Sequence, residues 1–241
     1  MNKTLLILGA SSDIGIAVIS QLASEFDTIV AHYRSSVETL SQLKVQLGDK
    51  LHLIRADFSS HAQTKDFITQ VSEIATPTHI LHLPAATFKN QNFHKSSWDD
   101  AQLDFDVSVR SIYETLQYFI KPMSKLGQTK IVFMLSSVTA VPPKFLVNYT
   151  LVKTALLGLM KSLAVEYASK GITINAVSPS MIETKFLKDV PTMLVEQSAA
   201  SNPIGRNATV EDVLGIIALL LSDQSSYMTG QNIVISGGGV L

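Results

Sequence analysis

Tyr149 and Lys153 stand four residues apart, in Tyr149-Thr-Leu-Val-Lys153, at the head of a helical pattern that runs to Lys170. Residues at that spacing share a helix face, so a phenol and an ammonium point into one cleft. A free phenol titrates at about pH 10. A nearby cation stabilises the phenolate and lowers that value, which makes tyrosine a usable general acid or base near neutral pH. Upstream, a strand-like run Lys130–Leu135 delivers Ser136 and Ser137. A hydroxyl there can polarise a carbonyl beside the tyrosine. Alone, a Tyr-x-x-x-Lys pair reads as surface helix; with a serine at a preceding strand end, it reads as proton transfer to a carbonyl oxygen.

A second candidate lies near the start. Thr4–Leu8 runs into Gly9-Ala10-Ser11-Ser12-Asp13-Ile14-Gly15. A glycine-rich turn after a first strand lets backbone N–H groups approach a pyrophosphate, and the helix N-terminus that follows favours its charge. The glycines are six apart, which is not the G-x-G-x-x-G spacing, and a tight turn capped by Ser12 or Asp13 is the lesser alternative when the segment is taken alone.

The elements that must position these groups alternate. Apolar, β-branched runs fall at Thr4–Leu8, Thr28–His32, Leu51–Arg55, His79–Leu83, Lys130–Leu135, Thr173–Val177 and Asn232–Ile235. Their near-continuous apolarity marks strands covered on both faces. Helical patterns fall at Ile14–Glu25, Val37–Leu47, Gln63–Ala75, a long stretch from Trp98 to Met123, Tyr149–Lys170 and Val210–Leu221. This predicts an α/β fold: one Rossmann-type, doubly wound parallel sheet of about seven strands with helices on both faces, filling 1–241 as a single domain. Ser180–Pro203 fits neither period; it reads as a loop with one short helix, and its apolar residues Met181, Ile182, Phe186, Leu187, Val190, Met193 and Leu194 suit a substrate lid over 180–203 or a subunit contact.

Composition narrows the function classes. The 241 residues carry 46% hydrophobic and 16% charged side chains and a net charge of −1, with a pI of about 6.6. That excludes a disordered chain or a coiled coil and leaves no global field to hold nucleic acid or an anionic membrane. There is no cysteine, hence no disulfide, thiol nucleophile or zinc-thiolate site; a reducing cytoplasm is the natural setting. The longest helical apolar stretch, Val213–Leu221, falls short of the roughly 20 residues a bilayer span needs, and the first apolar run is too short for a signal peptide. A mean hydropathy of +0.25 predicts apolar surface buried between subunits. No His/Asp/Glu cluster has metal-ligand spacing. His82 and His94 lie at and beyond the fourth strand, where each reads either as cleft lining or, more commonly, as an ordinary packed histidine.

With these residues in order, the chain resembles the short-chain dehydrogenase/reductase family over essentially its whole length, with a 3-oxoacyl-carrier-protein reductase-like pattern. Gly9–Gly15 is similar to that family's cofactor turn, with Ser11, Ser12, Asp13 and Ile14 between the glycines. Asp57 with Phe58 resembles its adenine-contacting aspartate. Pro179, Ile182 and Thr184, in Asn175-Ala-Val-Ser-Pro179-Ser-Met-Ile-Glu-Thr184, resemble the segment whose threonine holds the nicotinamide carboxamide. Gly205-Arg206, Glu211-Asp212-Val213 and Ser236–Gly239 match as well. The resemblance implies hydride transfer between a nicotinamide and a ketone or aldehyde, bound in the crevice at the carboxyl ends of the strands. Tyr149 would give the proton, Lys153 would lower its pKa and bind the nicotinamide ribose, and a serine would orient the carbonyl. Ser137 suits the local context; Ser136 suits the family's commoner spacing to the tyrosine. A small-molecule or carrier-bound carbonyl substrate is implied, a 3-oxoacyl thioester or a sugar-type carbonyl among them, with Lys125, Lys130 and Lys170 as scattered basic candidates for a carrier. A homodimer or homotetramer through the long helices is implied too.

Three departures stand out. Asp13 replaces the middle glycine of the turn; a carboxylate about 5 Å from a phosphate is repelled by roughly 3 kcal/mol at an effective dielectric of 20, so it is expected to turn away and support the helix N-terminus. The family's Asn-Asn-Ala-Gly reads Leu83-Pro84-Ala85-Ala86, in which proline removes a backbone donor and Pro84 and Ala85 form a thin cofactor wall. Ser108 stands where many members carry an asparagine that holds a water in the proton relay; serine can still hold one, with less reach. The second strand ends His32-Tyr33-Arg34-Ser35-Ser36 without a carboxylate for the ribose 2′-hydroxyl. Arg34 flanked by Tyr33 and Ser35 suits a 2′-phosphate, so NADP(H) is preferred over NAD(H), which stays possible. The rival reading is a non-catalytic dinucleotide-binding sensor, motivated by the same departures and opposed by the intact Tyr149 and Lys153.

Overall fold

Parallel strands covered on both faces must be apolar at successive positions, and β1 (Thr4–Leu8) shows how this is used: Leu6 and Leu8 feed one core while Leu5 and Ile7 feed the other. The computed structural model describes residues 2–85, 89–188 and 190–240; Ala86 of the fourth-strand motif and Asp189 of the 180–203 segment lie outside them. In chain order follow α1 (Asp13–Leu22), β2 (Thr28–Tyr33), α2 (Glu38–Leu47), β3 (Leu51–Arg55), α3 (His61–Ile74), β4 (His79–His82), α4 (Trp98–Phe105), α5 (Ser111–Leu126), β5 (Thr129–Met134), α6 (Val147–Tyr167), β6 (Ile172–Pro179), α7 (Thr192–Ser201), α8 (Val210–Leu221) and β7 (Asn232–Ile235).

The seven strands form one sheet in the order β3-β2-β1-β4-β5-β6-β7, every pair parallel. Helices α3, α5 and α6 cover one face with Phe67, Phe119 and Leu156 among the buried residues. Helices α1, α2 and α8 cover the other with Ile19, Leu40 and Ile217. This is the doubly wound, Rossmann-type architecture expected. The stretch Trp98–Met123 is divided: five residues, Asp106–Arg110, widen into a π-helical segment between α4 and α5. Such segments are rare and recur at functional sites. The strand order reverses between β1 and β4, so their carboxyl ends open a crevice there.

Candidate active site

The crevice is floored by the turn after β1. Gly9 has φ +78, and a Cβ there would lie 3.2 Å from the Pro84 nitrogen, so the turn passes directly over the end of β4. Its N–H donates to His32 Nδ1 at 3.0 Å. The other ring nitrogen lies 3.0 Å from the Ala56 carbonyl; since Nδ1 accepts, Nε2 carries the proton. The ring stacks on Phe58 with centroids 3.9 Å apart, and burial pulls its pKa down to about 4, so the imidazole is neutral at neutral pH. Sequence reasoning gave His32 no role; it ties the turn to β2 and to the end of β3. Ser12 caps α1, donating to the Gly9 carbonyl at 2.8 Å and accepting from Gly15 N at 3.1 Å. A Cβ on Gly15 would sit 2.5 Å from the Ala10 carbonyl oxygen, which only glycine avoids. Asp13 does turn aside: its carboxylate accepts from Lys185 N at 2.7 Å and lies 3.5 Å from Lys185 Nζ, so its charge is offset and the segment after β6 is clasped to the head of α1.

The reacting end lies beyond β5. Ser136 is extended, with φ −164 and ψ 154, so Ser136 and Ser137 project to opposite sides. The Ser136 hydroxyl hydrogen-bonds Tyr149. Ser137 opens a short turn, its carbonyl accepting from Ala140 and Val141 N–H groups. Both serines line the cleft, but the expectation that favoured Ser137 is corrected: the serine on the phenol is Ser136. Lys153, 2% exposed, donates from Nζ to the Met134 carbonyl at 2.9 Å and lies 5.6 Å from the Tyr149 ring centroid. Burial pushes the phenol up to about 12, only partly offset by the Ser136 hydrogen bond, and pulls the lysine down to about 8. The expected lowering of the tyrosine pKa by the lysine is therefore outweighed: the ammonium is turned to a backbone carbonyl, and burial of the phenol dominates. At pH 7 the pair is a protonated phenol beside a charged lysine.

Ser108 sits in the π-helical segment, 1% exposed. It does not line the cleft; its hydroxyl and both ring nitrogens of the fully buried His82 have no hydrogen-bond partner among the described residues. His94 is exposed.

The remaining candidates divide. Ser11, Ser12, Asp13, Ile14, Ala85, Pro179, Ile182 and Thr184 line a single cleft of about 780 Å³ with Ser136, Tyr149 and Lys153. Pro84 is buried beneath Gly9. Tyr33 is half-buried, and Arg34 and Ser35 are exposed outside that lining. The sequence reading missed Ser36, Glu38 and Thr39, which line the cleft there instead. Asp57 turns its carboxylate onto Ser59, accepting from N–H at 2.9 Å and from the hydroxyl at 2.7 Å. Phe58 is corrected as a side-chain contact, because its ring is committed to the core against His32 and Phe67. Over the reacting end stand Val138, Val141, Leu146, Met181, Phe186 and Leu187.

A family profile described as enoyl-(acyl carrier protein) reductase matches residues 9–239. The chain belongs to the short-chain dehydrogenase/reductase family. This is a family of oxidoreductases acting on carbonyl and hydroxyl groups. Among relatives, the oxidoreductase UcpA of Salmonella typhimurium is 30% identical over 250 residues, covering 99% of this chain and 95% of that protein. The 3-oxoacyl-(acyl-carrier-protein) reductase FabG of Staphylococcus epidermidis is 28% identical over 245 residues, with 99% of each covered. A 3-oxoacyl-(acyl-carrier-protein) reductase of Agrobacterium tumefaciens, solved with NADP bound, superposes with a TM-score of 0.89 at 23% identity over 98% of this chain and 93% of its own. At that identity the likeness shows the fold. For this short-chain dehydrogenase/reductase the described residues contain no group of three or more possible metal-ligating side chains and no helix long and apolar enough to cross a membrane.

Proposed function

We propose that the chain is an NADPH-dependent carbonyl reductase, working in reverse as an alcohol dehydrogenase, with Tyr149 as general acid/base. The observation that carries this reading is the Tyr149–Ser136 hydrogen bond beside the buried, charged Lys153, all facing one cleft. A phenol held protonated at neutral pH is the form a reductase needs to donate. Ser136 orients the substrate oxygen towards it, and Lys153 supplies positive charge as the phenol gives up its proton.

The residues present fit a dinucleotide. The Gly9 crossing and the Gly15–Ala10 approach leave the open N-terminus of α1 facing the cleft, and such an end binds phosphate. Ser11, Ser12 and Ile14 would hold the pyrophosphate, Ala85 and Asp57 the adenine side, and Pro179, Ile182 and Thr184 the nicotinamide. When bound, the cofactor supplies the hydride. Arg34 and Ser35 favour a 2′-phosphate; the NADP-bound relative supports the same choice, and Glu38 at the same rim works against it.

The substrate end is walled by apolar side chains, which suits an apolar ketone or a 3-oxoacyl thioester, the substrate class named by the FabG relative. The 180–203 segment forms the lid, held at three points: Lys185 by Asp13, Val195 O by Asn207 Nδ2 at 3.0 Å, and Asn202 Nδ2 to the Ser236 carbonyl at 2.9 Å. Residues 1–241 act as one domain within a homodimer or homotetramer. The test is titration with NADPH and NADH by nicotinamide fluorescence, followed by carbonyl compounds added to the tighter complex. NADPH binding with carbonyl-dependent oxidation is the expected result; binding of neither nucleotide overturns the reading.

A further inference from the structure

Asp13 is the first residue of α1 and lines the cleft. A carboxylate there suits the positive end of the helix, but it opposes any phosphate that the same helix end attracts. The compensating charge comes from far along the chain. Lys185, 172 residues on, follows β6 and opens the short turn Lys185–Leu187. Its N–H donates to one oxygen of the Asp13 carboxylate at 2.7 Å, and its ammonium stands 3.5 Å from the other. Both residues line one cleft with Ser11, Ser12 and Thr184.

The two contacts differ in kind. A backbone N–H on a carboxylate at that distance is a short, charge-assisted hydrogen bond, and it fixes the main chain of Lys185 at the head of α1. The ammonium contact is looser, and the Lys185 side chain is 85% exposed against 28% for Asp13. Exposed pairs of this kind are weak. An ammonium has three donors, and this one has no other hydrogen-bond or ion-pair partner among the described residues. The main chain is therefore clamped while the charge stays free to turn to an anion. The helix end adds donors of its own. The N–H groups of Ser12, Gly15 and Ile16 are paired, whereas those of Asp13 and Ile14 donate to no described residue. Two free N–H groups and a free ammonium flank the same stretch of cleft.

We infer that Lys185 is a pyrophosphate-binding residue of the dinucleotide site and that Asp13 is its positioning residue. This deepens the proposed reductase reading and rests on it. The Asp13 carboxylate cancels the charge of one ammonium, so the anion meets the head of α1 without net repulsion, and its hold on the Lys185 main chain keeps that ammonium within reach. A reversal of sign follows. With Lys185 in place, Asp13 favours the anion through the residue it positions. With Lys185 removed, the same carboxylate opposes the anion directly. A diphosphate is common to NADPH and NADH, so Lys185, unlike Arg34, acts on both cofactors alike.

The experiment uses the full chain in a double-mutant cycle, read by nicotinamide fluorescence titration. Lys185→Ala should weaken NADPH and NADH binding equally, each about tenfold, and Lys185→Arg, which keeps the charge, should recover most of that loss. Asp13→Ala takes a negative charge away from beside an anion, yet it should weaken both cofactors about threefold, because Lys185 loses its clamp. In the Lys185→Ala protein the same Asp13→Ala change should strengthen both. An Asp13→Ala effect of one sign in both backgrounds overturns the inference, as does a Lys185→Ala protein with wild-type affinity. A second arm needs no cofactor. Inorganic pyrophosphate added to 15N-labelled protein should shift the Lys185 amide and ammonium signals and leave in place those of Lys144, an exposed lysine lining the same cleft. Lys185 signals that pyrophosphate does not move overturn the inference. If the wild type binds neither nucleotide while pyrophosphate moves Lys185, the reductase reading fails and the assignment of Lys185 to a diphosphate stands.

Discussion

The two ends of the cleft are built on opposite terms. At the reacting end Lys153, Ser136 and His82 are buried and Tyr149 is half-buried, and the ionisable groups among them are displaced from their ordinary pKa values. At the rim beside the start of α2, Arg34, Ser35, Ser36 and Glu38 stand in solvent. Buried charge is costly to stability and strong in its local effect; exposed charge is nearly free and weak. Substitutions at the reacting end should therefore change activity by orders of magnitude and stability by kilocalories, while those at the rim should change only preference.

The largest effect belongs to Tyr149→Phe. Under the proposed reading Tyr149 is the general acid, and removing such a group costs roughly a hundred- to ten-thousand-fold, so kcat with the best carbonyl substrate should fall by that range while NADPH affinity stays within twofold. Unchanged turnover would break the distinction at its strongest point. Lys153→Met should also lose activity, yet gain stability. The lysine falls from its ordinary 10.5 to about 8 through burial, which converts to about 3 kcal/mol. Between pH 8 and 10.5 the unfolded chain holds the proton that the folded chain has lost, so wild-type stability rises with pH across that window. Below pH 8 the cost is fully present. Urea unfolding at pH 7 should place Lys153→Met above the wild type by up to about 3 kcal/mol, and the wild-type rate should decline above pH 8 as the ammonium is lost.

The next effect lies beneath the site. Burial lowers His32 and His79 from 6.5 to about 4, and each shift is worth about 3 kcal/mol. A histidine kept neutral by the fold contributes stability that is present above pH 6.5 and is lost as pH falls to 4, where the unfolded chain takes up protons first. Denaturation midpoints measured from pH 7 to pH 4 should fall steeply. His82 is held neutral by burial as well, so His32→Gln should remove about a third of that slope, and it should also loosen the Gly9 turn and weaken dinucleotide binding. A flat profile over this range would contradict the buried, neutral assignment.

How far the sequence reveals such contrasts depends on what patterning encodes. Thr4–Leu8, Leu51–Arg55 and Asn232–Ile235 were legible to the residue as strands, the central one because covering both faces of a sheet forces a contiguous apolar run and the two edge strands from shorter runs that are only partly buried. Tyr149 and Lys153 were legible because helical spacing alone places them on one face. The π-helical segment was not: one extra residue in a turn leaves no mark in a mixed stretch such as Asp106-Val-Ser-Val-Arg110. Nor was the choice between two adjacent serines, which turns on the φ and ψ of Ser136. The raised phenol pKa was missed for a related reason. Spacing reports that a cation is near, but burial and the direction of the Lys153 ammonium, set by Met134, determine the balance. Glu38 was passed over because attention fell on the strand end, whereas the rim continues into the first turn of α2.

The smallest expected effect is at that rim, and it tests the contrast from the other side. In the proposed reading Arg34 favours a 2′-phosphate, but it is exposed and its field is screened over about 8 Å at physiological salt. Arg34→Ala should therefore weaken NADPH binding by no more than about tenfold, or about 1.4 kcal/mol, and leave NADH binding unchanged. Glu38→Gln removes a like charge from the same place and should strengthen NADPH binding a few-fold, again with NADH little affected. Both changes should shrink as salt is raised, which separates a charge effect from a change in packing. If Arg34→Ala left the NADPH/NADH ratio unaltered while Glu38→Gln moved it, the choice of cofactor would lie in α2 rather than at the end of β2. A shift in kcat comparable to that of Tyr149→Phe would show the rim coupled to the reacting end, and the division between a costly interior and a cheap edge would fail.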